Sequence, residues 1–227
     1  MQKEKITIID LSYSIEGTMM VYPGLSRPVL EWLAIYDQEG FWSSKITIPV
    51  HVGTHIDAPK HFIRDGISVD QLALNRIVGE AVLCNVIDRQ TNVITARDLE
   101  KFDNLIEPGV IVVINTEIHK KYGSYVFLKE HPYLSTDAAK WLVQKKIQAL
   151  GVDMITVDRI GDTKAECHRI ILGAGIPVVE GLTNLEKLWL QRFWFVALPL
   201  KIQNGEAAPC RVIAIIEKEG KNEACAG

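Results

Sequence analysis

Between positions 51 and 61 the chain reads His51-Val52-Gly53-Thr54-His55-Ile56-Asp57-Ala58-Pro59-Lys60-His61, so half of its six histidines fall in one short segment. That segment constrains the fold more than any other. Gly53 and Pro59 argue against a helix through it, since glycine costs about 1 kcal/mol in a helix interior and proline about 3. Upstream, Lys45-Ile46-Thr47-Ile48-Pro49-Val50 alternates polar and apolar residues, the period of a half-buried strand. Alternate side chains of a strand share a face. His51, Gly53, His55 and Asp57 are therefore expected to look one way, with Val52, Thr54 and Ile56 looking the other. Gly53 has no side chain, which is expected to leave room for an ion between the imidazoles.

Two imidazoles and a carboxylate suit Zn2+, Mn2+ or Fe2+ better than the all-oxygen preference of Ca2+ or Mg2+. A lone histidine would read as a surface or core-edge residue. Two with an aspartate on one strand face, backed by mostly apolar residues, read as a metal site. Three protein ligands leave coordination positions open, as catalytic ions require. Such an ion lowers the pKa of its bound water to about 7. His61 follows Pro59, where the chain turns. It is placed either to rim the same pocket as a general acid or base, or to serve as a bystander or further ligand. The HExxH pattern is absent.

The rest of the chain predicts mixed α/β structure. Strands are expected at 6–11, 45–52, 80–87, 110–115, 149–152, 177–180, 194–202 and 211–217. Ser135-Thr136-Asp137 caps a helix over 138–146, Thr95-Ala96-Arg97-Asp98 opens another, and 163–172 forms a third, stopped by Gly173 and Gly175. Residues 220–227 read as a loose tail. With 227 residues and no Ser-, Gly- or Pro-rich linker, the chain reads as a single domain over 1–227, a mixed sheet partly covered by helices. The 48% apolar and 23% charged residues are those of an ordinary globule. A net charge of −3 and pI near 6.1 give no basic footprint for nucleic acid. No apolar run reaches the length of a membrane span, and the N-terminus lacks a signal-peptide stretch. Cys84, Cys167, Cys210 and Cys225 stand apart without CxxC spacing, which predicts a reduced, cytoplasmic protein.

The pattern HxGTHxDxPxHF at 51–62 resembles the signature of the metal-dependent cyclase/hydrolase family, which includes bacterial kynurenine formamidase (arylformamidase), isatin hydrolase and polyketide-associated cyclases. The likeness extends over about 7–217. Asp10-Leu11-Ser12 and Tyr22-Pro23-Gly24 are similar to the family's opening elements, and the 151–158 run GVDMITVD to its GVDxxSxD segment, with Thr156 where serine is usual. His168, the 180–185 run EGLTNL, Leu198-Pro199-Leu200-Lys201 and the 208–212 run APCRV complete the match.

The resemblance implies a swivelling β/β/α domain assembled as a homodimer or homotetramer. It implies His51, His55 and Asp57 as metal ligands, with His168 and Glu180 completing a second site and Asp57 bridging. His61 matches the proton-transfer histidine. Read from their surroundings alone, His168 lies on a helix and Glu180 ends an apolar strand at a sheet edge, so their ligand roles come from the resemblance. Cys167, beside His168, would point roughly 100° away on a helix. The implied cofactor is Zn2+, two per chain, with Mn2+ as the alternative. The implied reaction is hydrolysis of a non-peptide amide, as from N-formylkynurenine to kynurenine and formate, with a small-molecule amide as partner and neither nucleic acid nor membrane. The alternatives are a related hydrolase or cyclase acting on a cyclic amide, ester or lactone, and a non-catalytic metal-binding module. Kynurenine formamidases often carry alanine where Thr54 stands, which points to the broader class. Tyr22, Phe41, Trp42 and Phe62 are expected either to wall an aryl pocket or to sit in the core.

Overall fold

Runs rich in valine and isoleucine become strands because branched side chains pack well on a pleated surface. The computed structural model describes residues 6–87 and 90–217. The expected tail at 220–227, with Cys225, lies outside the described residues. The strands are β1 (Ile6–Asp10), β2 (Val29–Ala34), β3 (Ser43–Thr47), β4 (His55–Asp57), β5 (Val78–Asn85), β6 (Val93–Ile94), β7 (Ile111–Asn115), β8 (Tyr133–Leu134), β9 (Ala149–Val152), β10 (Val178–Glu180), β11 (Arg192–Pro199) and β12 (Ala207–Glu217). The helices are α1 (Tyr36–Glu39), α2 (Ala96–Glu100), α3 (Tyr125–Lys129), α4 (Thr136–Gln144) and α5 (Glu166–Gly173).

The main sheet runs β1-β12-β11-β5-β7-β9-β10-β4, and β4 returns to pair with β12. That second pairing curls the sheet into a barrel-like layer. Strands β5, β7, β9 and β10 are parallel, and the remainder are antiparallel. Parallel strands are buried on both faces, so their residues divide by parity. Val82, Cys84, Val112, Ile114, Leu150 and Val152 join the core beneath α4 and α5. Ala81, Leu83, Ile111, Val113 and Ala149 face the second core with Phe195 and Val212. Mixed α/β architecture with a sheet partly covered by helices is what the sequence predicts.

Capping chemistry sets the helix starts. The Ser135 hydroxyl accepts the Ala138 N–H ahead of α4, and the Asp98 carboxylate accepts the Thr95 N–H at 2.9 Å at the start of α2. Helix α5 begins at Glu166 rather than at 163, because the preceding loop turns at Gly161 (φ +82°) and Ala165 (φ +47°).

The strand expected over 45–52 is a correction. Strand β3 ends at Thr47, since Pro49 has no N–H to give a ladder, and it pairs only with β2. In this hairpin Val29, Leu30, Trp32, Leu33, Trp42 and Ile46 are all exposed. Residues 48–54 carry no regular structure.

Candidate metal centre

Strand β4 lies between β10 and β12, with Glu180 opposite His55 and Val178 opposite Asp57. Opposed residues of neighbouring strands share a face, so this register brings His55, Asp57 and Glu180 together. Ile56 points the other way into the core. Helix α5 contributes His168, and the 3-10 turn Pro59–His61 contributes His61. His51 also joins the group, but from the irregular loop and not from a strand. Gly53 makes that possible by adopting φ +58°, and a Cβ there would stand 2.9 Å from Met19 Cε. The glycine is needed for the turn and its packing, not as a gap for an ion.

The resulting distances are short. His51 Nδ1 is 2.9 Å from Asp57 Oδ1, and His55 Nε2 is 3.5 Å from Asp57 Oδ1 and 3.5 Å from Glu180 Oε2. His168 Nε2 is 3.3 Å from Asp57 Oδ2 and 3.2 Å from Glu180 Oε1. Two ligand sets result, His51/His55/Asp57 and Asp57/His168/Glu180, each with its atoms within 4.8 Å of one another. Asp57 is common to both.

These atoms meet without satisfying one another. His51 Nε2, both Asp57 carboxylate oxygens and His168 Nε2 are buried and have no hydrogen-bond partner. A buried polar atom left unmatched costs about 1–3 kcal/mol. Both Asp57 oxygens and His168 Nε2 meet there, His51 reaches Asp57 through Nδ1 while its Nε2 lies 3.7 Å from Glu206 Oε1, and the chemistry of this donor set fits a metal ion. Neighbouring groups fix the orientation of the ligands. The His55 Nδ1–H donates to the Gly53 carbonyl at 3.1 Å, which leaves Nε2 facing the carboxylates. His168 Nδ1 lies 2.5 Å from Asp158 Oδ2, and that carboxylate also accepts the N–H groups of Cys167 and His168. Glu180 Oε1 accepts the Val157 N–H at 2.8 Å. Such outer contacts set which ring nitrogen is bare.

The electrostatics agree. Burial alone would raise the Asp57 pKa, but contacts with His168 and His51 hold it well below the usual carboxylate range. Burial opposes charge on His168, yet Asp158, Asp57 and Glu180 raise its pKa well above the usual value. His51 is raised in the same way, burial opposing and Asp57 prevailing. A field that draws protons onto the buried His168 and the half-buried His51 also draws a cation. His61 differs. Its ring lies 4.1 Å from that of His51, and burial, with the charges of His51 and His168 added and that of Asp57 opposing, pushes it down to about 4. It is a neutral base at pH 7.

A cavity of about 260 Å³ opens on these groups, walled by Tyr22, Leu25, Phe62 and Ile155, with Arg159 and Asp162 at its mouth. Larger hollows of about 380 and 730 Å³ lie elsewhere and hold no converging ligand set among the described residues. Of the expected aryl-wall residues, Tyr22 and Phe62 line the cavity. Phe41 and Trp42 are 56% and 60% exposed, and Trp42 leans on Trp32 across the hairpin at 5.1 Å. Thr54 also does not face the cavity. Its hydroxyl donates to the Gly181 carbonyl at 2.6 Å and accepts the Tyr13 N–H at 2.9 Å. An alanine there would change a tether, not the substrate wall. Cys167 points away, its thiol donating to the Leu134 carbonyl. Asp158 is a functional residue the sequence reading missed. Its signal was a carboxylate closing the GVDMITVD run ahead of a helix.

Residues 9–159, more than half of the chain, match the family model described as "Putative cyclase". The chain belongs to the cyclase family. This cyclase-family chain is 29% identical over 206 residues to a kynurenine formamidase of Bacillus thuringiensis (strain Al Hakam), covering 90% of this chain and 95% of that protein. Isatin hydrolase A from Ralstonia solanacearum superposes with a TM-score of 0.83 at 26% identity, over 93% of this chain and 92% of that one. A structure described as a potential metal-dependent hydrolase with cyclase activity matches with a TM-score of 0.80 at 29% identity, covering 95% and 100%.

Proposed function

We propose that this cyclase-family protein is a metal-dependent hydrolase that cleaves the carbon–nitrogen bond of an aryl amide, with N-formylkynurenine, giving kynurenine and formate, as its reference substrate. The observation that carries the reading is the convergence of unmatched buried ligand atoms of Asp57 and His168, with His51 Nδ1 and His55 Nε2 against the same carboxylate, beside a neutral His61. The coverage of the formamidase relatives supports the choice of amide. His51, His55 and Asp57 would hold one ion, and Asp57, His168 and Glu180 a second. Zn2+ suits this imidazole and carboxylate set, with Mn2+ as the alternative. When bound, such a cation supplies a Lewis acid for the carbonyl and lowers the pKa of water toward neutrality.

The protein's own groups do the rest. Asp158 holds the His168 ring so that Nε2 faces the centre. Tyr22, Leu25 and Phe62 exclude water and seat an aryl ring. As water adds to the amide carbon, His61, uncharged in its buried setting, takes the proton that water gives up and passes it to the amine nitrogen as the carbon–nitrogen bond breaks, leaving carboxylate and amine. A cyclic amide is the second reading, favoured by the isatin hydrolase likeness at 26% identity.

A homodimer or homotetramer is part of the proposal. An isolated two-stranded hairpin is marginal in water, and β2–β3 presents exposed apolar residues on both strands, which a second copy would cover. A cytoplasmic location is supported by free Cys84, Cys167 and Cys210. No described helix is long and apolar enough to cross a membrane. The test is turnover of N-formylkynurenine and isatin by protein supplied with Zn2+ or Mn2+. Turnover of the formamide supports the first reading, and turnover of isatin alone moves the assignment to the second. No turnover of either overturns both.

A further inference from the structure

Arg159 stands at the mouth of the metal-centre cavity, and nothing in the chemistry above uses it. The loop that carries it is fixed. Asp158, the preceding residue, is anchored by the N–H groups of Cys167 and His168. The Asp162 N–H donates to the Arg159 carbonyl at 2.9 Å, which closes a turn, and the Gly161 N–H donates to the Tyr22 hydroxyl at 3.0 Å. The backbone of Arg159 is thus pinned to both walls of the cavity, while its side chain is exposed.

Neighbouring Arg169 shows the contrast. Its Nε donates to the Lys164 carbonyl, its Nη1 donates to the Phe62 carbonyl, and its guanidinium lies 5.3 Å from the Phe62 ring centroid. Its fork is committed to the protein. Arg159 has no ion pair or side-chain hydrogen bond among the described residues. Asp162, the acid on the same rim, accepts the Lys164 N–H through Oδ1 and makes no ion pair with Arg159. Tyr22, Leu25, Phe62 and Ile155 line the same cavity as Arg159 and the buried cluster. A ligand filling it meets a buried polar cluster, apolar walls and, at the exposed side, the Arg159 cation.

We propose that Arg159 is a specificity-determining residue that selects aryl amides bearing a carboxylate at the end remote from the scissile bond. This rests on the amide-hydrolase reading of the site. A guanidinium fork matches a carboxylate with two parallel hydrogen bonds and is weakly hydrated. At an exposed rim the gain is modest and is screened by salt.

The experiment compares 3-formamidobenzoate with formanilide, its neutral analogue, on the metal-supplied wild type, Arg159→Gln, Arg159→Lys and Arg159→Glu. The wild type is expected to favour the carboxylate compound by about tenfold in kcat/KM, with the difference carried by KM. In Arg159→Gln the ratio falls to about one, Arg159→Lys keeps part of it, and Arg159→Glu inverts it. The wild-type preference shrinks as salt is raised. An unchanged ratio in Arg159→Gln overturns the proposal. Calorimetric titration with the same two compounds requires no turnover. If the wild type hydrolyses neither compound, the binding ratio in wild type and Arg159→Gln decides the role of Arg159, and the amide reading is decided separately by turnover of N-formylkynurenine and isatin.

Discussion

The chain holds two groups of histidine and carboxylate that share their chemistry and differ in their geometry. In one, His119 donates from Nδ1 to Asp153 at 3.0 Å and from Nε2 to Glu186 at 2.8 Å. Asp153 also accepts the N–H and hydroxyl of Thr116, at 3.1 and 2.8 Å. Every donor meets an acceptor. Burial works against charge on His119, but the Asp153 hydrogen bond and charge, and then Glu186, raise its pKa. In the other group, around Asp57, most contacts are longer, 3.2 to 3.5 Å, and four buried atoms make no hydrogen bond. A satisfied cluster ties elements together, here the segment after β7 to the segments after β9 and β10. An unsatisfied one is held in wait for something from outside. Residue types alone do not separate the two, but the matching of donors to acceptors does.

The largest expected effect comes from Asp57→Ala. Both ligand sets lose their shared member, so bound metal disappears from elemental analysis and kcat/KM falls by roughly a thousandfold or more. Next is His61→Ala, which keeps its metal and loses about 10²–10⁴ in kcat. If this variant lost its metal instead, His61 would be a ligand and the roles drawn here would have to be exchanged.

His119→Leu sharpens the contrast from the other side. It strands the buried Asp153 carboxylate, at a cost of about 3 kcal/mol in urea unfolding, while metal content stays at the wild-type level. The pH dependence follows from the sign of the shifts. His119 has a raised pKa, so its stabilisation is complete below the unfolded value of about 6.5 and is lost as pH rises through the folded value. Glu186 is lowered. Burial opposes this, but the His119 bond prevails, so its contribution is present above about 4.3 and is lost as pH falls through the folded value. The stability gap between wild type and His119→Leu is therefore widest near pH 5–6 and narrows toward alkaline pH. A gap that widened with pH would contradict the protonated reading of His119. The smallest effect is that of Asp158→Asn, which weakens the hold on the His168 ring. Metal affinity is expected to drop by about 10–100-fold in a chelator competition, with the fold retained.

Much of this was legible in the chain before any coordinates. The alternation of apolar residues predicts the sheet, and Ser135 and Thr95 mark helix starts that the structure keeps. His51, His55 and Asp57 stand close in sequence, so their spacing already suggests one ion. His168 and Glu180 are far from them, and only the register of β4 against β10 and the position of α5 bring them in. No local pattern encodes that approach, and the family resemblance was needed. Ile46, Ile48 and Val50 alternate as a strand would, yet the backbone at 48–54 forms none. Pro49 and the left-handed Gly53 override the period, since a missing N–H and a positive φ act on the backbone itself. The exposure of Phe41 and Trp42 was equally hidden, because hydrophobicity alone does not say which apolar residues a hairpin carries away from the core.

The most direct measurement is metal content by elemental analysis, taken after dialysis of protein supplied with Zn2+ or Mn2+. Wild type and His119→Leu are expected to retain two ions per chain and Asp57→Ala none. Wild-type protein that keeps no ion, or an Asp57→Ala variant that keeps the wild-type amount, would contradict the reading of the unmatched cluster as a metal centre.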